Sequence, residues 1–387
     1  MSLLGCRIPY AEPWAPRRVF SLMSSPLLAK RVPDSVPAPM RKPVPYAPAY
    51  EALERDEDKT RSDILDTLSK IQQTTYANGK HALRAMHARS FGLLRGTLTV
   101  LPDLPQELAQ GLFQRESSYP LVMRLSTSPG DVAEGSHSTP RGMALKVWGV
   151  QGPRLGGSAD EMTQDFVLMN GPAFGTKNGK AFARSLKVLA ATTGRAPALK
   201  RLLSGVLPAT EKVVESRTHP LGDAYYSVTP YLYGQYMAKF CVTPSSPQLR
   251  RLVDRSLVVK GDRDGLRDAV VNFFGQHAGV WELRVQLCTS LEKMPIEDAR
   301  VAWPEEESPH VVVARIDVPA QQAWSEERSR VIDGGYSFSP WHGLAAHRPL
   351  GSVNRLRQQA YEESSRFRRE RSGMMSHEPV SFDGLPD

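Results

Sequence analysis

The chain has 387 residues, 41% hydrophobic and 23% charged, the composition of a globular protein with one large domain or two ordinary ones. No apolar run approaches the ~20 residues needed to cross a bilayer, which argues against a membrane protein. Cys6, Cys241 and Cys288 are too scattered for a disulfide framework, a CxxC pair or a CxxCH haem attachment, so a reducing, cytoplasmic setting is expected. The net charge of +8 is spread along the chain, with one modest cluster at 366–371 (RFRRER). A nucleic-acid binder usually gathers its basic residues on one dense face or with aromatics, so no nucleic-acid partner is expected. Buried arginines facing an anionic ligand would account for the charge equally well.

Residues 1–48 hold ten of the 31 prolines and no periodicity, and are expected to form an extended or disordered arm. "RRVFSL" at 17–22 resembles a twin-arginine signal, but Pro26 and nearby charges interrupt the apolar run that such a signal needs. Residues 49–373 read as one domain. Within it, 50–75 predicts a helix with Ile64, Leu68 and Ile71 on one face. Strands come next at 92–100, 119–127, 141–150 and 163–170, then a helix over 178–194 closed by Gly194. A second group of strands lies at 231–242, 281–288 and 311–318. In the stretch "WELRVQLC", Trp281, Leu283, Val285 and Leu287 alternate with polar residues, as in a half-buried antiparallel strand. A helix over about 350–370 and a loose tail from 374 to 387 complete the chain. Many strands without βαβ alternation predict an α+β fold, an antiparallel β-barrel decorated by helices.

Several motifs can be set aside. "GTKNGKA" at 175–181 lacks the glycine spacing and the hydroxyl of a phosphate loop, and "GDRDGLRD" at 261–268 lacks the ligands of a calcium loop. No GxSxG, HExxH or GxGxxG occurs, and neither His81 nor His87 has a companion at zinc-site spacing. Four segments remain. "RAMHARSFG" brings His87 into a strand one turn after Arg84, although a lone histidine there is commonly structural. In "MRLST", Arg124 and Ser126 share a face opposite Met123 and Leu125. Such a strand needs either a polar ligand in the barrel or a solvent-facing side. Asn170 ends the strand "QDFVLMN", where a turn asparagine is also common. On the last helix Arg357, Tyr361 and Arg368 share a face, with Tyr361 and Arg368 roughly 10 Å apart along the axis.

In this order the segments resemble the haem catalases, and specifically their short, minicatalase-like members. The matching patterns are R-x-x-H-A at Arg84–Ala88, R-[FL]-S-T at Arg124–Thr127 and P-R-G at Pro140–Gly142. Q-D-F-[LV]-x-x-N occurs at Gln164–Asn170, and R-x-x-x-Y at Arg357–Tyr361 with Arg368 trailing. "WHGLAAHRPLG" at 341–351 also resembles the family's approach to the proximal helix. The resemblance implies haem b, with Tyr361 as axial ligand to iron and Arg357 supporting its anionic oxygen. It implies that Arg84, Arg124 and Arg368 meet the two propionates. His87 would move protons on peroxide, with Asn170 orienting the substrate and Ser126 anchoring the imidazole. The implied substrates are hydrogen peroxide or an organic hydroperoxide, with an organic reductant if the enzyme works as a peroxidase. The alternatives are a catalase-related hydroperoxide isomerase or dehydratase, or a haem-binding protein without catalysis. A homo-oligomer is compatible with each. Where the family usually has Val before the distal His, an acid before P-R-G and a second aromatic after Phe174, this chain has Met86, Thr139 and Gly175. These departures predict a wide pocket that favours peroxidation.

Overall fold

The computed structural model describes residues 41–79, 82–127, 140–156, 161–192, 218–257, 264–372, 378 and 381–386. Nine strands form one antiparallel sheet: β1 (Arg89–Val100), β2 (Ser117–Thr127), β3 (Arg141–Trp148), β4 (Thr163–Met169), β5 (Tyr225–Tyr226), β6 (Tyr231–Tyr233), β7 (Tyr236–Pro244), β8 (Gly279–Leu287) and β9 (Val311–Val318). Their order is β5-β4-β3-β2-β1-β9-β8-β7-β6, and β5 also pairs with β7. That extra pairing closes eight strands into a barrel, with β6 attached as a hairpin arm of β7. Closure removes the exposed edges that an open sheet would leave.

The barrel is filled by alternate side chains of each strand. Trp281, Leu283, Val285 and Leu287 of β8 join Met123 and Leu125 of β2 and Leu94, Leu98 and Val100 of β1 in one buried cluster. Met123 and Leu125 therefore point inward, and Arg124 and Ser126 point out of the barrel. The polar face is thus neither inside the barrel nor exposed to solvent, the two alternatives that the sequence left open. The interior has ample apolar volume, so burying the hydrophobes there outweighs placing a guanidinium in it. The polar side of β2 faces the layer that wraps the barrel.

That layer contains α1 (Glu57–Gly79), α2 (Gly179–Thr192), α3 (Gly265–Phe274) and α4 (Ser352–Ser372). Ile64, Leu68 and Ile71 of α1 are buried against Ala183 and Leu186 of α2 and Leu356 and Ala360 of α4. A Cβ on Gly179 would lie 2.0 Å from a Leu356 methyl, so only glycine allows α2 this close to α4. Two polar anchors fix the start of α4. Arg355 reaches Glu51, Glu57 and Glu297 at 2.9–3.1 Å. Asn354, fully buried, donates to the carbonyls of Pro230 and Leu350.

The structure amends the sequence reading in three other places. The strand predicted over 231–242 is interrupted by a turn at Gly234, at φ +61°, and becomes β6 and β7. Residues 41–48 of the proline-rich arm run along the barrel, where Val44 N donates to Cys288 O and Tyr46 N to Gln235 O, both at 2.8 Å. The C-terminal segment, expected to be loose, is anchored in its described part. Phe382 meets Trp148 edge-on at 4.9 Å, and Leu385 is buried. The outer face of β1–β3 is apolar at Leu93, Val122, Ala144 and Trp148, and the tail helps cover it. Gly194, the expected helix stop, lies outside the described residues.

Candidate active site

His87 enters β1 from a bend and adopts φ +51°, in the left-handed region that a non-glycine residue rarely occupies. Its imidazole lies on the start of β3, where a Cβ on Gly142 would stand 2.7 Å from Nδ1 and 2.9 Å from Cε1. Gly142 pairs with Ser126 across β2 and β3. The Ser126 backbone acts on the imidazole as a hydrogen-bond partner. Burial, with repulsion from Arg124 and Arg357, pulls the His87 pKa down to about 4. The ring is neutral at pH 7.

Asn170 comes directly after β4 and clamps the start of β3. Its Oδ1 accepts from Arg141 N at 2.8 Å, and its Nδ2 donates to Asp223 Oδ2 at 3.1 Å. Asp223 also receives the Arg141 guanidinium at 2.8 Å. Asn170 thus holds the segment against which His87 rests, and its amide retains a second N–H.

Tyr361 and Arg357 lie one turn apart on α4. Arg357 Nη2 donates to Tyr361 Oη at 2.8 Å, and Nη1 to Asn354 Oδ1 at 3.1 Å. Burial alone would depress the Arg357 pKa, but Tyr361 and Tyr231 hold it above its usual value. The buried Tyr231 also belongs to this group. Burial raises its phenol to about 12, partly countered by Arg357.

Arg84, Arg124 and Arg368 converge on Asp333. Arg124 Nε reaches its Oδ1 at 2.6 Å and Arg84 Nη1 the same oxygen at 3.2 Å, while Ser90 and Ser329 donate to Oδ2 at 2.6 and 2.7 Å. Asp333 lies in a π-helical turn, Arg330–Gly335, and the Arg84 fork also binds the carbonyls of Asp333 and Tyr336 at 2.9 and 2.8 Å. Such wide turns are common at functional sites. Arg124 Nη2 further donates to His87 O at 2.8 Å, which links the cationic cluster to the histidine. Burial and repulsion from Arg124 pull Arg368 down to about 10, and Arg84 is depressed by burial and by the other two arginines. Among the described residues, Arg84 and Arg124 bind Asp333 directly and Arg368 acts on it electrostatically.

The structure therefore gathers Arg84, His87, Arg124 and Arg368 around Asp333. The Arg357–Tyr361 pair is coupled to them, because Tyr361 acts electrostatically on Arg84 and Arg357 on His87. Asp333, Asn354, Asp223 and Gly142 were not singled out as site residues. Asp333 carries no motif, and its partner Arg124 is 209 residues away.

The sequence matches no protein-family model and no curated protein. In three dimensions the chain resembles a bacterial catalase, with a TM-score of 0.56, 15% identity, and 76% of this chain and 59% of the other covered. A fungal catalase gives 0.55 and 15%, covering 88% and 67%. Catalase A from Saccharomyces cerevisiae gives 0.56 and 14%, covering 87% and 68%. The chain has the catalase-type fold, a closed antiparallel barrel with surrounding helices. It spans 59–68% of the length of these proteins. Among the described residues no helix is long and apolar enough to cross a membrane.

Proposed function

We propose that the chain binds haem b between the outer face of β1–β3 and α4 and consumes hydroperoxides, as a catalase or as a peroxidase using an organic reductant. The observation that carries this reading is the Arg357–Tyr361 hydrogen bond of 2.8 Å on a helix coupled to three clustered arginines. The donor chemistry fits the group. Tyr361 Oη would hold the iron, the guanidinium beside it stabilises negative charge on that oxygen, and Arg84, Arg124 and Arg368 suit two carboxylates. When bound, the haem supplies the iron that activates peroxide and accepts its oxidising equivalents.

The chain's own contribution is proton management. With Nδ1 lying against Gly142, Nε2 is the nitrogen of His87 that would exchange a proton with substrate. An imidazole that stays neutral down to about pH 4 can accept a proton from one peroxide oxygen and return it to the departing one. Asn170 offers its second N–H to the same substrate. Selectivity favours peroxidation. Phe174 packs on Phe182 with ring centroids 5.3 Å apart, and Gly175 after it adds no second ring; Thr139 lies outside the described residues. Haem-loaded protein mixed with hydrogen peroxide, with and without a phenolic reductant, is expected to oxidise the phenol readily and to evolve oxygen slowly. Failure of the protein to retain haem sinks the reading, and fast oxygen evolution without phenol oxidation removes the selectivity.

A further inference from the structure

On the barrel wall, five ionisable side chains from distant parts of the sequence meet beside Phe338, whose ring carries Lys146 and also Arg84. Lys146 of β3 and Asp165 of β4 are fully buried and paired, with Nζ 2.9 Å from Oδ1 and 3.0 Å from Oδ2. Glu378, from the C-terminal segment, joins the pair through Oε2, which contacts Lys146 and accepts from Thr163 Oγ at 3.0 Å. Ser339 N donates to Asp165 Oδ2 at 2.9 Å. These contacts use the sides of Asp165 and Glu378 that face the lysine.

His342 approaches the same Asp165 Oδ2 and the second oxygen of Glu378, with Glu161 beside it. His342 Nδ1 stands 3.4 Å from Asp165 Oδ2, 3.7 Å from Glu378 Oε1 and 3.9 Å from Glu161 Oε2. Among the described residues His342 Nδ1 and Glu161 Oε2 are shielded from solvent, Glu161 Oε2 has no hydrogen-bond partner, and Nδ1 has only the long contact with Asp165. Two of the three distances clearly exceed a normal hydrogen bond and the third sits at its outer edge, and a proton on Nδ1 could serve only one of the three oxygens. Donor atoms bonded to one tetrahedral cation at 2.0–2.2 Å lie about 3.3–3.6 Å apart. The 3.7 and 3.9 Å distances from His342 Nδ1 to Glu378 and Glu161 are slightly longer than this, and one ligand atom from each of the three residues lies within 4.8 Å of the others.

We propose that His342 Nδ1, Glu161 Oε2 and Glu378 Oε1 form a site for one divalent first-row cation, with Asp165 holding the imidazole side and Lys146 neutralising the outer oxygens. One imidazole with two carboxylates selects zinc or manganese over the all-oxygen preference of calcium and magnesium. Open coordination positions are left for water. The site staples three segments: the approach to β4, the approach to α4, and the C-terminal strap. The strap is otherwise held by Phe382 on Trp148, by buried Leu385, and by the Pro386 carbonyl, which accepts from Arg328 Nε at 2.9 Å. The three ligands lie at positions 161, 342 and 378 along the chain, which is why no zinc-type spacing betrays them.

The test uses full-length protein stripped with a chelator, titrated with Zn2+, desalted, and analysed for zinc and iron separately. The parent is expected to retain one zinc per chain, to melt at higher temperature with zinc than without, and to resist carboxypeptidase when loaded. Glu161→Gln and His342→Ala should weaken zinc binding at least ~10-fold and abolish both effects, with iron content unchanged. Glu161→Gln is the deciding variant if His342→Ala fails to fold, because Glu161 Oε2 makes no hydrogen bond that the substitution would remove. A parent that retains no zinc, or a Glu161→Gln protein that binds it as tightly, overturns the site.

Discussion

His87 combines a strained backbone with a desolvated ring. A non-glycine residue in the left-handed region costs on the order of 1–3 kcal/mol and persists when surrounding contacts over-determine it. Here those contacts are Arg124 on its carbonyl and the Ser126 backbone on its ring. Asparagine tolerates this conformation better than most residues, so His87→Asn keeps the backbone and removes the acid–base group. The variant is expected to load haem normally and to react with hydrogen peroxide about 10² to 10⁴-fold more slowly in stopped-flow absorbance. Equal rates would exclude His87 as the proton carrier. His87, Arg84 and Arg124 were legible because short motifs fix them on one strand or its approach. Asp333 was not, since its role depends on a turn brought over β2 by the fold. The direction of Arg124 and Ser126 stayed open in the sequence because period-2 alternation assigns residues to two faces without saying which is inside.

At the scale of elements, the π-helical turn Arg330–Gly335 acts as a clasp between the wrapping segment and the barrel. Arg124 and Arg84 on one side and Ser90 and Ser329 on the other hold Asp333 ionised against the cost of burial, and its pKa falls below the usual value. Asp333→Asn leaves three neighbouring guanidinium groups without this carboxylate. Loss of one partner from a buried ion pair costs about 3–5 kcal/mol, and chemical denaturation should show a loss of that order. Added haem should recover part of it if the propionates supply negative charge at the same place. A loss that haem leaves untouched would separate Asp333 from the ligand site. The strands of the barrel were largely readable, β8 most clearly, because each alternates between a packed interior and a covered exterior. The two-residue β5, which closes the barrel, gives no periodic signal. α3 was hidden beside the rejected calcium-like stretch. The placement of α4 depends on Gly179 and Arg355, whose partners lie far away in sequence.

At the scale of the molecule, three of the described histidines are held neutral by burial. His87, His219 and His347 each fall to about 4 from the ordinary 6.5. Between those values the unfolded chain binds protons that the folded chain refuses, so folded stability is lost as pH falls through that window. His347 is fully buried and accepts from Leu112 N at 3.0 Å. It alone accounts for on the order of 3 kcal/mol between pH 6.5 and 4. Asp333 acts in the same direction but lower, its stabilisation vanishing as pH drops through its depressed value. Denaturation midpoints should therefore decline steadily from pH 6.5 towards 4, and a flat profile would contradict the burial of these rings. The barrel, the wrapping turn and α4 come together at the proposed haem cradle. The most direct measurement there is the absorption spectrum of haem-reconstituted parent and Tyr361→Phe proteins, recorded side by side. The parent is expected to show ferric haem with phenolate-oxygen ligation, and Tyr361→Phe should bind haem poorly or show a different iron spectrum. Full haem occupancy with an unchanged spectrum in Tyr361→Phe would contradict the assignment of Tyr361 and the function built on it.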